Sequence, residues 1–165
     1  MGTAEASFVM LGNIMLDENK QPVEQDMGLF RQFPNFLQET AFLDRIHGLI
    51  RGWDMERVTK DTPSKSLGFK GDFFSEVLHV MRRMPQYGEY VSENMVLLNC
   101  DDLRDRKAIA RVAAGFLKLL FPDLQVTEEE FREFCVRPAV ALRQRVRDEL
   151  HKMDPEYAAV QIGVG

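Results

Sequence analysis

The sequence predicts a mainly α-helical chain: a remnant of an α/β core with one or two short strands, followed by a small helical bundle. Three observations predict it. "SFVMLGN" (7–13) is a short continuous apolar run, and continuous hydrophobicity reads as a strand covered on both faces, as in a parallel α/β sheet. No other segment before residue 90 reads as a full partner for it. The second half, in contrast, carries long stretches with apolar residues three or four apart.

The elements follow in order. Gly12-Asn13 stops the first run, and "DENKQPVEQDMG" (17–28) is a polar loop. "FPNFLQETAFLDRI" (33–46) has Pro34-Asn35 as a start signal and places Phe36, Thr40, Leu43 and His47 along one helical face. "HGLI" (47–50) offers a second short strand. "RVTKDTPSKSLG" (57–68) is polar and aperiodic, with Pro63 and Gly68, and reads as a linker. "GDFFSEVLHVMRRM" (71–84) is helical, with Phe73, Val77 and Met81, and likewise Phe74 and Leu78, at helical spacings. In "DDLRDRKAIARVAAGFLKLLF" (101–121) the stripe Ile109, Ala113, Phe116, Leu117, Leu120 is stopped by Pro122. "TEEEFREFCVRPAVALRQRVRDELHKM" (127–153) opens with a capping box, Thr127 and Glu130. Its stripe Phe131, Cys135, Ala139, Leu142, Val146, Leu150, Met153 stays in phase across Pro138, so one kinked helix is expected rather than two.

Composition narrows the functional classes. The 165 residues are 45% apolar and 28% charged, a globular balance. A chain this long buries roughly 70% of its unfolded surface. The net charge of −5 argues against gripping nucleic acid over a broad face. No apolar run approaches the roughly 18 residues of a membrane span, so no membrane partner is expected. The N-terminus has no signal-peptide pattern, and Ala6 stands where a myristoylation motif needs Ser or Thr. Cys100 and Cys135 make no metal pattern and read as buried free thiols of a cytoplasmic protein. His47, His79 and His151 are scattered.

Three polar residues stand in unusual places. Asn13 closes a buried strand at its carboxyl end, where open α/β sheets place ligands, though taken alone a turn Asn after Gly12 is the favoured reading. Arg45 ends an amphipathic turn. It is either a cation presented to a phosphate at a subunit boundary or a salt-bridge partner of Asp44 or Glu39. Arg106 falls within about 40° of Ala113, Leu117 and Leu120 on a helical wheel, which extends the buried stripe. An arginine there needs an anion, either a carboxylate or a bound phosphate. "MVLLNCDD" (95–102) imitates a strand with magnesium-holding acids. GxxxxGK[ST] occurs nowhere, however, and "LGFKGD" lacks its spacing and final hydroxyl. Asp101 and Asp102 therefore read as the N-terminal residues of the following helix.

In order along the chain, these features resemble the second half of an AAA+ ATPase module. More narrowly, "SFVMLGNI", "PNFLQETAFLDRIHGLIRGW", "GFKGDFFSEVLHVMRR" and "RDRKAIARVAAGFLKLLFP" resemble blocks of the Lon-like ATPases of BREX phage-defence systems, commonly labelled ATP-dependent Lon-type proteases. The likeness runs from about residue 7 to 153. It implies that Asn13 is sensor 1, Arg45 the arginine finger reaching a neighbouring subunit, and Arg106 sensor 2, with Asn13 and Arg106 contacting nucleotide. It implies residues 1–60 as the C-terminal portion of the AAA+ α/β core, and 61–165 as the helical lid plus the start of a linker in "DPEYAAVQIGVG". ATP and Mg are expected in a full-length parent, and no cofactor in this chain alone, which is expected to be inactive. Other subunits of a ring are the expected partners, with DNA or protein as the parent's substrate. The competing reading is a free-standing helical adaptor or nucleic-acid-binding module using an Arg143/Arg145/Arg147 surface. A peptidase reading finds no nucleophile–base pair.

Overall fold

The computed structural model describes residues 7–23 and 27–165. It is mainly α, as the sequence predicts. The order is α1 (Thr40–Leu43), α2 (Gly71–Met81), α3 (Gln86–Asn94), β1 (Leu97–Leu98), α4 (Leu103–Leu120), α5 (Glu128–Glu130), α6 (Arg137–Met153) and β2 (Gly163–Val164). Short 3-10 turns at Leu29–Gln32, Asn35–Leu37 and Gly52–Asp54 carry the chain between these elements.

Helix α4 starts because Asp102 caps it, its carboxylate accepting from the Arg104 and Asp105 amides. α5 starts on the expected capping box, in which Thr127 and Glu130 exchange side-chain and backbone hydrogen bonds. The helical path then runs unbroken from Glu128 to Met153, with a π-helical stretch at Phe131–Val136 just before Pro138. Proline has no N–H to donate backward, and the wider π turn absorbs that loss without splitting the helix.

Two cores result. The larger joins α3, α4, the π stretch and α6 around Tyr87, Val91, Ile109, Ala113, Leu117, Phe131, Cys135 and Ala139. Tyr87 keeps its hydroxyl bonded by donating to the Pro122 carbonyl at 2.6 Å. The smaller is Phe30, Leu43, Val146 and Leu150, where the segment before residue 50 lies against the far half of α6. β1 and β2 pair antiparallel, Leu97 opposite Val164 and Leu98 opposite Gly163.

Several expectations are corrected. Residues 7–13 form no strand, and Phe8 (92% exposed) and Leu11 (97%) stand in solvent. Strand geometry needs a ladder partner, and among the described residues none lies alongside. A single bridge, Leu16 to Pro22, follows instead. "HGLI" likewise forms no strand, though Leu49 N–H donates to the Leu142 carbonyl. The helix expected over 33–46 breaks into a 3-10 turn and the four-residue α1. The polar loop is a tight turn in which the Asp17 carboxylate caps the Asn19 and Gln21 amides, residues 24–26 of it lying outside the described residues. Residues 57–68 are exposed and irregular, as the linker reading requires.

Helix α2 buries only Met81; Phe73, Phe74, Val77 and Val80 are exposed. The chain exposes 12438 Å². A compact monomer of this mass presents about 8400 Å².

Candidate functional site

The site begins at the end of α1, where Asp44 and Arg45 take opposite directions. Asp44 is buried and Arg45 exposed. The Asp44 carboxylate accepts from Arg104 Nη1 at 2.5 Å and from Arg143 Nη2 at 2.7 Å. Arg143, fully buried in α6, also donates from Nε to Asp105 at 2.6 Å. Its Nη1 donates to the carbonyls of Asp44 at 2.9 Å and Ile46 at 2.6 Å. Asp105, buried in the first turn of α4, accepts a second bond from Arg147 Nη1 at 2.5 Å. Two carboxylates and three guanidiniums thus tie the segment after α1 to both α4 and α6. Burial opposes ionisation of Asp44, but the hydrogen bonds from Arg104 and Arg143 outweigh it and hold the carboxyl below its ordinary value.

Beside this network lies a cleft of about 420 Å³, lined by Asn99, Asp102, Arg104, Arg147 and Glu156 among others. His47, three residues after Asp44, has its Nε2 3.1 Å from Arg111 Nη1. Burial, then the charges of Arg111 and Arg143, push its pKa down, which favours the neutral ring as acceptor.

Among the sequence-predicted residues, Asn13 is exposed in the irregular N-terminal stretch. Arg45 donates to the Ala41 carbonyl one turn back and makes no ion pair with Asp44 or Glu39. Arg106 is exposed, with Nη1 3.4 Å from the Cys100 carbonyl, so its expected place in the buried stripe is wrong. Asp105 occupies that place. No hydrogen bond or ion pair among the described residues joins any two of Asn13, Arg45 and Arg106.

The basic surface of the competing reading does not form. Arg143 is fully buried, the Arg147 side chain is 11% exposed, and Arg145 Nη1 donates to the Leu49 carbonyl. Both cysteines are buried, and burial pushes the Cys135 thiol up to about 11, far from a nucleophile's range. The sequence contains no GxxxxGK[ST], and no three His, Cys, Asp or Glu among the described residues form a metal-holding group.

Sequence reasoning paired Asp44 with Arg45 and put Arg143 on an exposed basic surface, and it missed Asp105 and the network that joins all three, because that network spans residues far apart in the chain.

Fold and site together define a mainly α module that locks an arginine-bearing turn onto a helix pair. A family model described as "Lon-like protease BrxL-like, ATPase domain" matches residues 1–163, nearly the whole chain. The chain belongs to this family of Lon-like ATPase domains. It is 30% identical over 149 residues to the Lon-like protease BrxL of Escherichia coli O9:H4 (strain HS), covering 90% of this chain and 21% of that protein. It is 29% identical over 151 residues to the Lon-like protease BrxL of Bacillus cereus (strain H3081.97), covering 91% and 22%. The chain spans about a fifth of the length of these curated relatives. No helix among the described residues is long and apolar enough to cross a membrane.

Proposed function

We propose that this chain is the sensor-and-lid portion of an oligomeric AAA+ ATPase acting in phage defence, with Arg45 as an arginine finger. In this reading Arg45 meets the γ-phosphate of ATP bound by an adjacent subunit and offsets the charge that develops as the phosphoryl group transfers. Asn13 serves as sensor 1 and Arg106 as sensor 2, both toward the nucleotide of their own subunit. The phosphate loop and Mg²⁺ ligands come from elsewhere in the parent, and the parent's substrate is DNA or protein.

One observation carries the reading. Asp44, the acid next to Arg45, is spent on Arg104 and Arg143, so the exposed Arg45 guanidinium has no carboxylate partner among the described residues and bonds only to the Ala41 carbonyl. A guanidinium kept free of acids beside a rigid network is suited to an anion brought by another molecule. The exposed apolar side chains of 7–16 and of α2 are consistent with further contacts in a larger assembly.

The test is Arg45→Ala in the full-length parent. ATP turnover should fall by roughly 10³–10⁵-fold at most, with nucleotide binding retained, because the target lies in another subunit. Mixing Arg45→Ala subunits with phosphate-loop mutants should restore part of the activity. A variant that keeps full turnover, or mixed rings with no recovery, refutes the trans role.

A further inference from the structure

The contacts of Arg143 bear on Arg45 in a way the salt bridges alone do not convey. Its Nη1 donates to the carbonyl of Asp44 at 2.9 Å and to that of Ile46 at 2.6 Å, the two residues flanking Arg45. Nη2 holds the Asp44 carboxylate at 2.7 Å, and Nε holds Asp105 of α4 at 2.6 Å. The side chain is fully buried. A guanidinium carries its donors in one rigid plane, so these four contacts fix the carbonyls of Asp44 and Ile46, one on each side of Arg45, together. The turn needs such a clamp. α1 has four residues, too few for a helix to persist on its own. The Arg45 side chain bonds only to the Ala41 carbonyl among the described residues, and its backbone N–H donates to the Phe42 carbonyl, so the turn's backbone sets its direction.

Fold stability alone does not account for an ion here, since well-packed apolar residues of similar size usually serve at least as well as a buried ion pair. What apolar residues lack is a grip on two carbonyls. Asp105 in turn ties the clamp to α4, the helix that also carries Arg106.

We propose that Arg143 is a positioning residue for Arg45, holding the arginine at the angle from which it reaches a neighbouring subunit's phosphate. The inference rests on the finger role given to Arg45 above.

The experiment is a double-mutant cycle in the full-length parent with Arg45→Ala, Arg143→Lys and the pair, read as kcat and KM for ATP. Lysine keeps the charge but has one nitrogen, which cannot span Asp105, Asp44 and both carbonyls. Arg143→Lys should lower kcat by roughly 100-fold, the cost of displacing a catalytic group by about 1 Å. KM should stay unchanged. In the Arg45→Ala background the same change should alter kcat by no more than about twofold, because there is no finger left to misplace. Equal losses in both backgrounds mean that Arg143 only supports the fold, and the proposal fails while the finger reading stands. Full activity of Arg45→Ala overturns both.

Should Arg143→Lys not fold, Asp105→Asn takes its place in the cycle, loosening the clamp while Arg143 remains. A second measurement needs only the chain itself. In whichever variant folds, the Arg45 and Ile46 amides should exchange faster with D₂O, while amides around Leu117 keep their protection. Unchanged exchange at Arg45 and Ile46 overturns the proposal.

Discussion

Leu117 and Leu120 lie on one face of α4 three residues apart, and the sequence treats them alike, yet the structure separates them. Leu117 has no exposed surface and sits in the larger core, whereas Leu120 is 52% exposed. Leu117→Ala removes three carbons from a site without solvent. At about 0.8 kcal/mol for each buried CH₂, the transfer cost is about 2.4 kcal/mol. The cavity left in the larger core raises the cost, to a range of roughly 2–5 kcal/mol. For a chain of this size each kcal/mol lowers Tm by about 2–4 °C, so a loss of about 3 kcal/mol lowers it by roughly 6–12 °C. Leu120→Ala removes the same atoms where half are already wet, and it should cost under about 1 kcal/mol. Urea titration with far-UV circular dichroism reads both variants against the parent chain, the slope m checking that the transition keeps its character. Equal midpoints for the two variants, or a larger loss at Leu120, would refute the packing of α4 described above.

Two further outcomes test the clamp region. Asp44 has a lowered carboxyl pKa, so its stabilisation is fully present above the ordinary value of 3.8 and is lost as pH falls below it. The urea midpoint should therefore drop on acidification to about pH 3 by less in Asp44→Asn than in the parent chain; equal drops would show that Asp44 carries no linkage. Gly48 packs so closely on α6 that an added Cβ would lie 2.8 Å from Leu142 Cβ. Gly48→Ala should push the 46–49 segment off α6 at a cost of about 1–3 kcal/mol, and a melting curve identical to the parent's would show that this contact is loose.

The sequence carries most of the helical half in local signals. The Thr127–Glu130 box, the Asp102 cap, the run across Pro138 and the buried thiols are each fixed by neighbours a few residues away. On the wheel Arg106 still falls between Ala113 and Leu117, but it lies in the first turn of α4, and there Asp105 is the residue that meets the arginines of α6. The true stripe is Asp105, Ile109, Ala113, Leu117, each four apart, with Ala108 beside it. The acid at its head is buried only because α6, some forty residues on, supplies Arg143 and Arg147 as its partners. Residues 7–13 went astray for a complementary reason. Their hydrophobicity is that of a strand, but a strand is defined by its partners, and among the described residues this run has none and lies irregular in solvent.

The opposite fates of Asp44 and Arg45 follow from their adjacency. On a helical turn, residues one apart point about 100° from each other and do not face one another, so this pair was never placed to neutralise itself. Once Leu43 is buried against Val146 and Leu150, Asp44 turns toward the seam between α4 and α6. A lone carboxylate there costs several kcal/mol, and Arg143 and Arg104 offset that cost. Arg45, one step further round, is carried away from the seam and from the acids within it. The reverse order, Arg-Asp, would direct the guanidinium toward Arg143 and the carboxylate into solvent, setting two cations against each other. Asp followed by Arg is therefore the order that both closes the buried network and leaves one arginine outside it, with its charge unspent.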